Sequence, residues 1–159
     1  MDVLNYLDEN CVILGLKQKN KKNTISAILD HLLSRKKITK GNRKEILKAI
    51  LQREEMGSTA IGNNIAFPHA RITSIKNIII CVAISKEGID FDSLDQEPVN
   101  IIALLLSNQK EAGLHLKILA FLARMLRDKF LVQRLKEAKD PHEIIELFRK
   151  QQQAVGKIV

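Results

Sequence analysis

Two largely apolar runs, Asn77–Ile84 and Val99–Leu106, constrain this chain more than any other feature. Each is about eight residues long and built of aliphatic, often β-branched side chains. A strand wetted on one face alternates apolar with polar, so unbroken runs of this length are expected of strands covered on both faces. Covering both faces takes helices, and the flanking sequence offers them. Ile25, Ile28, Leu29, Leu32 and Leu33 fall at helical spacing and predict a helix from a cap at Asn23-Thr24 to about Arg35. Ile46, Leu47, Ile50 and Leu51 predict a second helix to Met56, with Gly57 ending it. A third follows from Leu114 through Leu119, Leu122, Met125 and Leu126, and a fourth around Phe130–Lys136. Asp140-Pro141-His142-Glu143 reads as a capping box with proline at the first helical position, opening a last helix to about Gln152. Cys11–Leu16 reads as an edge strand, and residues 57–71 as short strand fragments joined by tight turns. The expected architecture is α/β: one domain over residues 1–159, with its core at about 10–150 and a sheet of four to six strands flanked by helices.

Composition excludes several classes. At 45% hydrophobic residues the chain can offset the entropy of folding, so it is not a disordered segment. Its apolar runs fall well short of the roughly twenty residues that span a bilayer, so no direct membrane insertion is expected. Met1 is followed by acidic rather than basic residues, unlike a secretory leader. Cys11 and Cys81 lie 70 positions apart with no CxxC, which favours two buried thiols in a reducing cytoplasm over a disulfide or metal site. The net charge of +8 is uneven: residues 17–44 hold ten Lys/Arg against Asp30 alone, and residues 57–106 net −2. A solvated basic face, a surface for an acidic partner and a nucleic-acid footprint all stay open on charge. The last would predict salt-sensitive binding, but with six aromatics and no Trp there is little to stack on bases, and no nucleic acid is expected.

The chemistry concentrates in residues 53–71. Gly57 and Gly62 admit φ > 0, and Phe67-Pro68 fixes the approach to His69, because proline locks its own φ and restricts the residue before it. An imidazole on so stiff a stalk suits a positioned nucleophile; a loop histidine capping backbone groups is the plainer alternative. Asp90, Asp92, Asp95 and Glu97 resemble a metal loop, but Pro98 interrupts them and no EF-hand pattern is completed, so turn formation is expected. No GxxxxGK[ST] motif is present, His69 and His115 lack a third zinc ligand at suitable spacing, and no cofactor is called for. His31 and His142 carry no supporting motif.

The run Arg53-Glu54-x-x-Gly57-Ser58-Thr59-x-Ile61-Gly62-x-x-Ile65-Ala66-x-Pro68-His69 resembles the phosphorylation-site signature of the fructose/mannitol/nitrogen-type (type-2) enzyme IIA domains of the bacterial phosphoenolpyruvate:sugar phosphotransferase system. Two further blocks, Gly88-Ile89-Asp90-Phe91-Asp92-x-Leu94-Asp95-x-x-Pro98-Val99 and Gly113-Leu114-His115-Leu116-Lys117-Ile118-Leu119-Ala120-x-Leu122-Ala123, are similar to that family in order and spacing. Ala60 and Asn64 stand where many members have glycine, and Phe67 where an aliphatic residue is usual. The resemblance implies an α/β/α sandwich with a mixed sheet. It also implies a phosphocarrier in which His69 takes a phosphoryl group from the phosphohistidine of the small carrier HPr and passes it to an acceptor. In transporters that acceptor is a cysteine of a IIB domain. Arg53 would clamp phosphate oxygens with its guanidinium, and His115 would donate to phosphate or orient His69. Ser58 and Thr59 are candidate phosphate donors, with turn formation as the alternative. With no IIB cysteine domain or membrane segment in the sequence, a free-standing protein of the nitrogen-regulatory branch, controlling target proteins, is expected ahead of a sugar-transport IIA component. The apolar rim Ile61, Ile65 and Phe67 is the expected docking surface for HPr.

Overall fold

The computed structural model describes residues 2–156. Strands β1 (Val12–Ile13), β2 (Ile65–Ala66), β3 (His69–Arg71), β4 (Ile79–Ile89) and β5 (Val99–Ser107) form one five-stranded sheet in the order β1-β4-β5-β2, with β3 also on β5. The two apolar runs are its centre. They pair antiparallel with each other, while β1 joins β4, and β2 and β3 join β5, in parallel. The sheet is therefore mixed. Helices α1 (Lys21–Ser34) and α2 (Lys40–Glu55) cover one face; α3 (Ala112–Met125), α4 (Lys129–Glu137) and α5 (Pro141–Val155) cover the other.

Strand periodicity divides the core. Cys81, Ala83, Ile102, Leu104 and Leu106 pack toward α1 and α2, whereas Ile80, Val82, Ile84, Ile101, Ala103 and Leu105 pack toward α3–α5. Burying each large aliphatic side chain stabilises the fold by about 1.5–3 kcal/mol, which is why both central strands tolerate so little polarity. Cys11 and Cys81 are both buried free thiols. The two central strands outrun the apolar pattern: β4 continues through Lys86 and Glu87 past an irregularity between Ile84 and Ile89.

Helix boundaries follow capping more closely than apolar spacing. The α1 cap is Asn20, whose side chain accepts from Asn23 N, so the helix starts a turn before the expected Asn23-Thr24. Thr39 caps α2 and Asn42 reciprocates, forming a capping box with no acidic residue in it. At α5, Asp140 accepts from Glu143 N as expected, but Glu143 reaches back to Lys139 N rather than to the cap residue. Part of the basic segment is ion-paired within the fold: Lys37 with Asp8, Arg43 with Asp30 and Lys21 with Glu54. Among the described residues no helix is long and apolar enough to cross a membrane.

Candidate functional site

His69 opens β3, with its Cα partner at Leu105 of the central strand β5, and Leu105 N donates to Pro68 O at 3.0 Å. The stiff dipeptide Phe67-Pro68 is thus tied into the sheet on one side of the ring. On the other, His69 Nδ1 lies 2.8 Å from Phe67 O. A carbonyl only accepts, so Nδ1 carries the proton and the neutral ring keeps its lone pair on Nε2. The ring is half-buried, and burial pushes its pKa below the usual histidine value; the Arg53 charge acts in the same direction, while the Phe67 carbonyl and Glu54 oppose it.

His115, in the first turn of α3, is buried with its ring centroid 5.3 Å from that of His69 at a 58° tilt. Its Nδ1 is 2.6 Å from Ser107 Oγ, at the end of β5. Burial, then the charges of His69 and Arg71, hold its pKa down at about 4. The helix N-terminus also disfavours an imidazolium there. The neutral form is built into the fold, with a sign that can be checked. The unfolded chain protonates near 6.5 and the folded one only near 4, so stability present above the unfolded pKa is lost as pH falls through this window. The loss reaches about 3 kcal/mol for this residue. Urea titrations between pH 7 and 4 should show it, and His115→Gln should flatten that part of the profile; an equal slope in both proteins would refute it.

His69 and His115 share a cleft of about 430 Å³ with Arg53, Arg71, Met56, Gln109 and Leu116. Arg53, in the last turn of α2, donates Nη1 to Gly57 O at 2.8 Å, which turns its guanidinium along the Gly57 turn. Gly57 itself has φ +144°, in the region that favours glycine. Three sequence-predicted residues, His69, His115 and Arg53, therefore converge. Ser58 and Thr59 do not join them. Ser58 Oγ donates to Phe91 O and accepts from Ala60 N, and Thr59 Oγ1 donates to the Glu54 carboxylate. Neither lines the cleft. Their hydroxyls shape the turn instead, and their partners, up to 33 positions away, are invisible in local sequence.

The expected docking rim does not line the cleft. Ile65 is buried in the core and Ile61 and Phe67 lie off the cleft, whose apolar edge is Met56, 84% exposed, and Leu116, 66% exposed. Sequence reasoning missed Arg71. It stands two residues after His69 on β3, and alternation puts both side chains on one face, a signal available in the run His69-Ala70-Arg71. Arg71 Nη1 donates to Gln109 O at 3.3 Å across the cleft mouth. His31 donates Nε2–H to Asn10 O at 2.8 Å in another part of the molecule, and His142 is exposed; neither approaches the cleft. The acidic loop forms turns: Asp90 accepts from Asp92 N, and Asp95 from Ser93 Oγ and Glu97 N. Asn64 at φ +64° holds the left-handed conformation that a glycine would take, at the small cost asparagine pays there.

A neutral imidazole with its Nε2 lone pair free, two guanidiniums and a second neutral histidine can accept a phosphoryl group and spread its charge. Known proteins of similar sequence bear on this. Residues 5–151 match the family model described as phosphoenolpyruvate-dependent sugar phosphotransferase system, EIIA 2. A nitrogen regulatory protein of Bradyrhizobium diazoefficiens is 30% identical over 144 residues, 91% of this chain and 92% of that protein. The fructose-specific EIIABC component of Bacillus subtilis is 31% identical over 147 residues, 92% of this chain but 23% of that longer protein. The crystal structure of the nitrogen regulatory protein IIA-Ntr from Neisseria meningitidis matches with a TM-score of 0.83 at 23% identity, over 91% of this chain and 97% of that one.

Proposed function

The chain belongs to the EIIA 2 family of the phosphoenolpyruvate-dependent sugar phosphotransferase system, and from that premise we propose that it is a cytoplasmic phosphocarrier that accepts a phosphoryl group on His69 from phospho-HPr. The observation that carries the reading is the His69 ring, whose Nδ1–H is held by Phe67 O at 2.8 Å while the ring lines an open cleft. In the transfer, the Nε2 lone pair attacks phosphorus in line and a new N–P bond forms. The donor's N–P bond breaks, and its electron pair returns to the donor imidazole. No proton need move, because Nδ1 keeps its hydrogen throughout. The protein's work is positioning and charge neutralisation. Arg53 clamps the phosphoryl oxygens. Arg71 supplies a second cation at the mouth, and His115, when its Nδ1 accepts the Ser107 hydroxyl, has Nε2–H left to donate.

The nitrogen-regulatory branch, in which the phosphorylation state of His69 controls a target protein, fits the relative from Bradyrhizobium, matched over 92% of its length. A second reading is favoured by similarity to the fructose-specific component: the acceptor is then a cysteine on a fructose- or mannitol-type IIB domain. Both use the same site.

Incubation with phosphoenolpyruvate, enzyme I and HPr, with label followed into the chain, tests the proposal. Acid-labile, base-stable label is the expected result; a folded protein that takes no label refutes it. Because Leu116 is the exposed apolar wall beside His115, Leu116→Asp should slow labelling roughly tenfold or more by disturbing the dry contact a donor needs. Unchanged initial rates would place donor docking elsewhere.

A further inference from the structure

Glu54 follows Arg53 in the last turn of α2, yet its side chain is only 3% exposed. A buried carboxylate is costly unless its oxygens are occupied, and both are. Oε1 lies 3.2 Å from Lys21 Nζ and accepts from Thr59 N at 3.2 Å; Oε2 accepts from Thr59 Oγ1 at 2.6 Å. Lys21, the first residue of α1, is fixed in turn by Asp92 at 3.4 Å and by the Phe91 ring, 5.4 Å beneath its ammonium. The line continues past Thr59. Its carbonyl accepts from Phe67 N at 3.4 Å, and Phe67 O accepts from His69 Nδ1 at 2.8 Å. Contacts thus run without a break from an ion pair on the far side of α2 to the nucleophilic ring.

We propose that Lys21 and Glu54 are positioning residues for His69: their ion pair holds Thr59, and through it the Phe67 carbonyl that orients the imidazole, so that a pair outside the cleft governs how fast Nε2 is phosphorylated. The proposal rests on the phosphocarrier reading and extends it to residues with no place in the cleft. The linkage is geometric. Thr59 is held at its amide, hydroxyl and carbonyl, and Phe67 at both its amide and carbonyl. Without the carboxylate, the turn after α2 would lose two of the anchors that keep Arg53 and the His69 stalk in register. There is an electrostatic side as well. The charged or titratable groups that face His69 are Arg53 and Glu54 from α2, Arg71 from its own strand and His115 from α3. Glu54 is the anion among them, and it opposes the lowering of the His69 pKa by burial and Arg53.

The test pairs phosphorylation rates from enzyme I and HPr with an NMR titration of the His69 ring, in the wild type and in Lys21→Met, Lys21→Arg and Glu54→Gln. Circular dichroism and thermal midpoints establish that each variant is folded. Lys21→Met and Glu54→Gln should be phosphorylated roughly ten- to hundredfold more slowly, the range expected when a reacting group is displaced by an ångström or less. Lys21→Arg should recover most of the rate. The His69 titration should move down in Glu54→Gln, where an anion is lost, and up in Lys21→Met, where that anion loses its cation. A merely structural pair would not move it in opposite directions. Rates within twofold of wild type with an unmoved His69 titration overturn the proposal, as does a Lys21→Arg variant no faster than Lys21→Met. Should Glu54→Gln not fold, Lys21→Met and its arginine rescue decide alone. A wild type that takes no label refutes the phosphocarrier reading, and the titrations still decide whether the pair sets the state of His69.

Discussion

His69→Ala is expected to take no phosphoryl label from phospho-HPr under conditions in which the wild-type chain is labelled to near one group per molecule. The loss should be complete because no second nucleophile stands where the first one does. His115 Nδ1 is engaged by Ser107 Oγ at 2.6 Å, its ring is buried, and its centroid is 5.3 Å away, too far to take an in-line attack aimed at Nε2 of His69. The fold should be untouched, since the His69 side chain is half-buried at the cleft and contributes a single internal hydrogen bond, to Phe67 O. The pH dependence of the wild-type rate carries the same assignment. An imidazolium has no lone pair to offer, and burial with the Arg53 charge keeps His69 neutral to lower pH than an ordinary histidine. The rate should therefore stay level from pH 8 down to about 6.5, the ordinary histidine value, and fall only below it. Label persisting in His69→Ala, or a rate already falling at pH 7.5, would move the acceptor to another residue.

The largest effect on stability is expected at Gly88. It lies in the outer part of β4, within the irregularity between Ile84 and Ile89, at φ +92°, and a Cβ there would come within 2.7 Å of the Pro98 Cβ. The neighbour is a rigid ring rather than the end of a flexible side chain, so it cannot swing aside. Gly88 N also donates to Ser85 Oγ, and Asn100 Nδ2 bridges Ser85 O and Lys86 O, which pins the backbone from both sides. Gly88→Ala should cost about 1–2 kcal/mol for the left-handed backbone and about 1–3 kcal/mol for the overlap. Urea unfolding should reveal a loss of roughly 2–5 kcal/mol, and a change under 1 kcal/mol would show that β4 and the Pro98 loop separate freely.

What could be read from the sequence, and what could not, divides along a physical line. The buried strands declared themselves because covering both faces removes polar alternation, and the helices because a core-facing stripe repeats at helical spacing. His69, Arg53 and His115 could be brought together from the sequence through its resemblance to the type-2 enzyme IIA signature and two later blocks, and the fold places the three around one cleft. The start of α1 was not: apolar spacing marks the core-facing stripe, whereas the helix begins where Asn20 can satisfy a free amide. The roles of Ser58 and Thr59 were not either. Whether a hydroxyl faces a ligand or the chain depends on Phe91 and Glu54, and only the folded turn brings these into reach. Glu54 falls in the signature run, but its burial cannot be read there, since it is decided with a lysine 33 positions earlier. Arg71 could have been found by applying strand alternation outward from His69.

The dipeptide ahead of His69 also shapes the border of the sheet. β2 and β3 line up on the same side of β5, and Phe67-Pro68 stands in the gap between them. That side is an outer border of the sheet, and the opposite border is the two-residue β1. A continuous border strand would offer a row of unpaired amides on which another chain could add by strand pairing. Proline offers no amide at all and breaks that row in the middle. The kink that aims His69 into its cleft thus also leaves the sheet with two short, interrupted borders, so a substitution of Pro68 would be felt as self-association as well as lost transfer.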